Sequence, residues 1–262
     1  MRLGIFQPDC AGADTSTRMQ RLGDAIAGEN LDIVVCPELF MSGYDVGNDI
    51  LKLAEPANGA FYKAACDVAG SAGTAICYGY PERDGDTIHN SAAVVAPDGT
   101  LLANHRKRAN SPGSFEAEYF TAGQSETLID YKGFRIGVLI CFEAEFPEAV
   151  RSLALQGAEL VLAPTALVDI WDVVASRMIP TRAFENGIWL AYANHAGVEN
   201  TCSYLGDSRI VAPDGYETAL AGAVETLIVS EIDKDRVKKA QARLPYLDHW
   251  QTFAPRNWWS EE

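Results

Sequence analysis

The phrase Val-Ala-Pro-Asp-Gly occurs twice in the chain, within Val94-Val-Ala-Pro-Asp-Gly-Thr100 and within Ile210-Val-Ala-Pro-Asp-Gly-Tyr216. In each copy an apolar run meets a Pro-Asp-Gly turn signal and a second extended run follows, so each predicts a β-hairpin. Between and around them, strand-like and helical segments alternate. Strands are expected near 2–7, 32–36, 74–80, 90–96, 100–107, 134–141, 158–163, 187–193, 204–212 and 225–232, and helices near 15–28, 58–71, 146–156, 172–186 and 233–242. Two hairpins of one kind, separated by βα units, predict a two-sheet core rather than a single wound sheet. The helices then belong on the outer faces of an α/β sandwich. No Pro/Gly/Ser-rich linker or charge block interrupts the pattern, so residues 1–262 are expected to form one domain.

Composition removes several classes of function. A formal net charge of −15 argues against nucleic acid and against an anionic membrane surface, since both require clustered Lys and Arg. The amino terminus carries no apolar signal segment, and the longest apolar runs are only strand length. Six scattered cysteines without CxxC spacing then read as reduced thiols of a cytoplasmic protein rather than a disulfide framework. Only four histidines occur, none at ligand spacing, so no metal is expected. GxGxxG and GxxxxGK[ST] are both absent, which leaves dinucleotide and P-loop chemistry without its main feature.

Four residues carry candidate chemistry. Cys141 ends the apolar run Phe134-Arg-Ile-Gly-Val-Leu-Ile-Cys141 and precedes a helical pattern. A thiol there sits at the carboxyl edge of a buried strand, where ligands of open α/β sheets bind and where a helix amino terminus favours a thiolate and an oxyanion. Glu38 ends Leu31-Asp-Ile-Val-Val-Cys-Pro-Glu38, and an acid among Pro37, Leu39 and Phe40 should have a raised pKa suited to a general base. Lys107 ends Leu101-Leu-Ala-Asn-His-Arg-Lys107, where a fixed ammonium could stabilise an oxyanion, although a lysine in so basic a stretch is more often solvated. Glu116 lies in an aromatic, glycine-bounded loop beside a second acid, Glu118. Other cysteine chemistries fail on spacing. A phosphatase loop needs an arginine where Pro147 stands, and no papain-like signature or histidine partner is evident.

Taken in order, Pro37-Glu38-Leu-Phe, Arg106-Lys107 and Cys141-Phe-Glu-Ala-Glu-Phe-Pro147 resemble the nitrilase superfamily of carbon–nitrogen hydrolases. Ala163-Pro-Thr165, Arg182-Ala-Phe-Glu-Asn186, Ala191-Tyr-Ala-Asn194 and Asp207-Ser-Arg209 extend the likeness over nearly the whole chain. The resemblance implies a four-layer αββα sandwich and a catalytic triad of Glu38, Lys107 and Cys141, with Glu116 as the second glutamate. It also implies an oxyanion contact from the Phe142 backbone N–H, substrate contacts at Tyr44 and Ala166, and no cofactor. Phe142 replaces the tryptophan of true nitrilases, and Glu145 stands where members acting on ω-amides carry arginine. The pattern is therefore most similar to the broad amidases, implying a small neutral carboxamide as substrate. N-carbamoyl amidohydrolase, nitrilase and a catalytically idle amide-binding scaffold are the alternatives. Assembly into a homodimer or higher homo-oligomer is expected, through the helix bearing Phe146, Val150, Leu153 and Ala154 and through the aromatic segment Trp250, Phe253, Trp258 and Trp259.

Overall fold

A computed structural model describes residues 1–11 and 13–253. Strands β1 (Arg2–Gln7), β2 (Ile33–Val35), β3 (Ala75–Asp84), β4 (Thr87–Val95) and β5 (Leu101–Arg106) belong to one six-stranded sheet. Strands β6 (Thr127–Tyr131), β7 (Phe134–Val138), β8 (Leu160–Pro164) and β9 (Trp189–Ala193) belong to a second, also of six strands. A small hairpin, β10 (Val198–Glu199) and β11 (Cys202–Ser203), stands apart from both. Strands β12 (Arg209–Val211) and β13 (Glu217–Leu220) complete the second sheet, and β14 (Thr226–Glu231) returns to pair with β1 in the first.

The two sheets face each other across a dry interior. Leu3, Ile5, Ile33 and Val35 from one side meet Ile136, Val138, Leu160 and Leu162 from the other, all fully buried. Each such side chain contributes about 1.5–3 kcal/mol on leaving water. Helices α1 (Thr15–Ile26) and α3 (Ala60–Ala72) cover the outer face of the first sheet through Met19, Leu22, Ile26, Phe61 and Ala65. A short α2 (Ile50–Leu53) and the single turn α4 (Glu116–Tyr119) lie in the loops. Helices α5 (Pro147–Leu155) and α6 (Ile179–Asn186) cover the second sheet through Val150, Leu153, Ile179 and Ala183. The carboxyl-terminal helices are α7 (Lys234–Arg243) and α8 (Tyr246–Phe253). The architecture is the expected αββα sandwich. Because helices cover both outer faces, β2, β8 and β9 are buried on both sides, which explains their unbroken apolar runs.

The repeated phrase makes one hairpin in each sheet. Pro97-Asp98-Gly99 joins β4 to β5 and Pro213-Asp214-Gly215 joins β12 to β13, with Gly99 and Gly215 at φ 84° and 85°. Parallel pairing of β1, β2 and β3, and of β7, β8 and β9, brings the carboxyl ends of β2, β7 and β8 to one edge.

Several expected elements differ. The helix expected over 172–186 is broken into a turn at Asp169–Trp171, a π-type turn at Val174–Met178 and α6. Pro180 lacks an N–H and cannot continue an i to i−4 ladder, so α6 restarts around it. Strand β6 and helix α8 escape the sequence pattern. The strand expected over 204–212 reduces to β12, with Tyr204–Ser208 forming a loop. Val150, Leu153 and Ala154 are buried within the same chain and so cannot form a subunit contact; of that stripe Phe146 alone is exposed. Phe253 is exposed too, while Trp258 and Trp259 lie outside the described residues. Among the described residues, no helix is long and apolar enough to cross a membrane.

Candidate active site

Glu38 is carried just past β2 on a loop that bends sharply, with Leu39 at φ 50°. The loop lies directly against β3, and only glycine allows this. A Cβ on Gly79 would stand 2.3 Å from the Leu39 nitrogen and 2.7 Å from the Glu38 Cα. The contact is bonded in both directions, Gly79 N–H donating to the Pro37 carbonyl and Met41 N–H to the Gly79 carbonyl, each at 3.1 Å. From the opposite sheet, the Glu38 N–H reaches the Thr165 carbonyl at 3.3 Å. His195 Nε2 lies 2.7 Å from the Glu38 carbonyl oxygen, which can only accept, so Nε2 carries the proton and Nδ1 faces the Cys10 thiol at 2.9 Å. Burial pushes His195 down to about 4, which keeps the ring neutral.

Lys107 follows β5, its backbone N–H donating to the Asn90 carbonyl at 2.8 Å and its carbonyl accepting from Gly123 N–H at 2.7 Å. Contrary to the solvated role common for lysines in basic stretches, its side chain is fully buried. The ammonium lies 2.7 Å from Glu38 Oε1 and 2.7 Å from Glu116 Oε2. Asn90 Nδ2 also donates to Glu38 Oε1, at 2.7 Å. Glu38 Oε2 is buried with no hydrogen-bond partner among the described residues. Tyr44 OH donates to Glu116 Oε1 at 2.7 Å, and Ser111 N–H to Glu116 Oε2 at 3.1 Å. The segment expected as a loop around Glu116 forms the turn α4, which points this acid inward while Glu118 stays exposed.

Cys141 follows β7 with φ 49°, a left-handed conformation that a non-glycine residue holds only where its surroundings impose it. What imposes it is Glu143. Its Oε2 accepts from Ile140 N–H at 2.8 Å and lies 2.8 Å from His105 Nε2, while Oε1 accepts from Arg108 N–H at 3.2 Å. Glu143 therefore ties the turn Cys141–Glu145 to His105 and Arg108, which flank Lys107 on either side. His105 has Glu143 on one ring nitrogen and Thr127 on the other.

The charges differ in part from expectation. Burial raises the Glu38 pKa, and neighbouring Glu116 adds to this against the pull of Lys107 and Asn90, as a general base requires. For Glu116 burial acts upward too, but Lys107 and the hydrogen bonds from Lys107 and Tyr44 outweigh it and hold the carboxyl low. Burial acts downward on Lys107, but the Glu38 and Glu116 carboxylates outweigh it and keep the ammonium charged. The expected resting thiolate is not found. Burial and the Glu38 charge push the Cys141 thiol well above its ordinary pKa, and Lys107, Thr165 and the Ala166 backbone reverse this only in part. The resting group is a thiol, which must lose its proton as it reacts.

Of the four groups, Cys141 lines a cavity of about 440 Å³, which is also bordered by Ser111 and Tyr44, the hydrogen-bond partners of Lys107 and Glu116. Tyr44 and Ala166 line it as expected, and Phe142, Phe115, Trp171 and Glu145 form further walls. A larger cleft of 580 Å³ beside Met19 and Phe61 holds none of the four candidate groups.

Sequence reasoning missed the support beneath Tyr44. Glu199 Oε2 accepts from Tyr44 N–H, Asp45 N–H and Tyr204 OH, each at 2.9 Å, while Oε1 pairs with Arg18 at 2.9 Å. Glu199 comes from the β10–β11 hairpin and Arg18 from α1, both buried. Neither has a sequence signal, because Arg18, Tyr44 and Asp45 are all more than 150 residues from Glu199 in the chain.

The carbon-nitrogen hydrolase family model matches residues 2–242, and the chain belongs to this family, within the amidase-like branch of the nitrilase superfamily. It is a hydrolase acting on non-peptide carbon–nitrogen bonds. A hydrolase encoded in the pqqF 5′ region of Pseudomonas protegens is 40% identical over 94% of this chain and 88% of its own length. An (R)-stereoselective amidase of Pseudomonas sp. is 30% identical over 94% of this chain and 90% of its own. Among solved structures, a mutant of the amidase from Nesterenkonia sp. AN1 carries acrylamide joined to its active-site cysteine by Michael addition. It superposes with a TM-score of 0.83 at 29% identity, covering 95% of this chain and 99% of that one.

Proposed function

We propose that the chain hydrolyses a small neutral carboxamide to a carboxylic acid and ammonia through a thioester on Cys141. The observation that carries this is the asymmetric Glu38 carboxylate. One oxygen is held by Lys107 and Asn90, and the other is buried, unpartnered and available to take a proton. Glu38 accepts the thiol proton as Cys141 Sγ attacks the amide carbonyl, so the thiolate exists only as the bond forms. Lys107 and the Phe142 backbone N–H stabilise the tetrahedral oxyanion. Glu38 returns the proton to the departing nitrogen, ammonia leaves, and Glu38 then activates water to cleave the thioester. Glu116 keeps Lys107 in place and Tyr44 holds Glu116, while Tyr44 and Ala166 border the substrate. No cofactor takes part.

Support also comes from relatives. A cysteine-to-alanine mutant of the Nesterenkonia amidase binds butyramide, at a TM-score of 0.84 and 28% identity. We place the protein in the cytoplasm, on its six free cysteines, as a homodimer or larger homo-oligomer, on the exposed Phe146 and Phe253.

Ammonia release from butyramide, with mass spectrometry of the quenched enzyme, tests the reading. An acyl adduct on Cys141 and stoichiometric ammonia are expected. Release from carbamoyl compounds or nitriles alone would replace amidase by one of those activities. Binding without any adduct or product would leave an idle scaffold.

A further inference from the structure

The cavity at Cys141 contains one charged side chain that the reaction above leaves unused. Glu145 closes the turn Cys141–Glu145 and lines the same cavity. Its side chain is half-buried, yet among the described residues no donor reaches its carboxylate; the bond recorded there is from Arg182 to its backbone carbonyl, at 2.9 Å. Such a carboxylate has lost part of its water without gaining a partner, an arrangement that a ligand cation would complete.

The two cations that act on Glu145, Lys107 and Arg182, are each paired with another carboxylate. Lys107 lies 2.7 Å from both Glu38 and Glu116, and Arg182 Nη1 lies 2.8 Å from Glu185. Burial raises the Glu145 pKa, with Lys107 and Arg182 opposing, and its charge is also felt at Tyr192, behind Thr165. The carboxylate therefore acts on the reaction site and not only on solvent. The same cavity is lined by Tyr44, Phe115, Phe142 and Trp171, and aromatic ring faces favour a cation over an anion.

We infer that Glu145 selects acyl groups bearing an ammonium, so that the preferred substrates of this site are small amino-carboxamides. The inference rests on the amidase reading and adds the substrate class. It also carries a sign. An amide whose acyl group ends in a carboxylate meets Glu145 with like charge, and the formal net charge of −15 steers such molecules away.

Three amides of nearly equal shape separate the possibilities: 3-aminopropanamide as cation, butyramide as neutral and succinamate as anion. The reading is kcat/KM from ammonia release, for the wild type, Glu145→Gln and Glu145→Arg. The wild type should favour 3-aminopropanamide over butyramide by about tenfold, the worth of one charge-assisted hydrogen bond. That ratio should shrink as salt rises. Glu145→Gln should bring it close to unity, and Glu145→Arg should raise succinamate above 3-aminopropanamide. Equal kcat/KM for cation and neutral in the wild type, or a ratio unchanged in Glu145→Gln, overturns the inference while the amidase reading stands. Ammonia from none of the three amides overturns both.

Discussion

At the scale of single residues, the site works by giving one proton a defined path. Cys141→Ala should remove turnover to below about a thousandth of wild type while leaving thermal unfolding nearly unchanged, since a buried thiol becomes a methyl group. Glu38→Gln keeps the shape and still binds amide, but it should lose about two to four orders of magnitude in kcat. Near-wild-type activity of Glu38→Gln would move the base elsewhere. Lys107→Met removes the fixed charge at the oxyanion, a loss of roughly 3 kcal/mol or more in transition-state stabilisation. The pH dependence follows from Glu38. Its carboxyl must be ionised to accept the thiol proton and its pKa is raised, so kcat/KM should fall as pH drops through a point above the usual glutamate range. A limb at the ordinary glutamate value would contradict the buried environment. Thiol labelling is a weaker assay, because Cys202 lines the same cavity as Cys141 and should react beside it.

At the scale of elements, loops are held in place by contacts that tolerate little change. Gly79→Ala would drive a methyl group into the Glu38 loop, since the nearest atoms are backbone and cannot rotate away. We expect a loss of about 1–3 kcal/mol in stability together with a larger fall in kcat than in substrate affinity. A Gly79→Ala enzyme with unchanged kcat would show that the loop moves without cost. The Arg18–Glu199 pair behaves differently. Glu199→Ala leaves a buried guanidinium unpaired, which costs about 3–5 kcal/mol, and it frees the Tyr44 backbone. The double change Arg18→Met, Glu199→Met should recover much of the melting temperature without recovering KM, because Tyr44 still lacks its anchor. Recovery of both would assign the pair a purely structural role.

At the scale of the whole molecule, the four layers bury the stripe of α5 inside the subunit, so the proposed assembly would have to use other surfaces. Phe146, just before α5, and Phe253, the last residue of α8, remain exposed, and α8 itself packs on α5 and α6. Deleting residues after Phe253 should shift the assembly seen by light scattering and lower activity if that end meets a second subunit. A fully active monomer at micromolar concentration would exclude this. Acid stability is a property of the whole fold as well. Glu116, Glu143 and Glu199 each have a lowered carboxyl pKa in the folded state despite burial, held down by Lys107, His105 and the Asp45 backbone N–H among others. Their contribution is fully present above the unfolded glutamate pKa and is lost as pH falls through the lower folded values. Unfolding midpoints should therefore begin to fall below about pH 6.5, where unfolded His195 gains a proton that the folded ring refuses, and drop more steeply below about pH 4 as the carboxyls protonate.

Local pattern was enough to place Glu38, Lys107 and Cys141 at strand ends, because apolar runs and turn residues act over a few positions. The two Pro-Asp-Gly hairpins foretold two sheets for the same reason. Strand β6 was missed although Tyr131-Lys-Gly-Phe134 closes a hairpin, since Lys132 at φ 49° is an unusual turn residue. Glu143, Gly79, Arg18 and Glu199 were out of reach altogether. Their roles depend on which distant segments meet, and a sequence carries no mark of that meeting. The same holds for the thiol at Cys141. Neighbouring residues suggested a thiolate, but the depth of burial decided the balance, and burial exists only once both sheets have closed over the site.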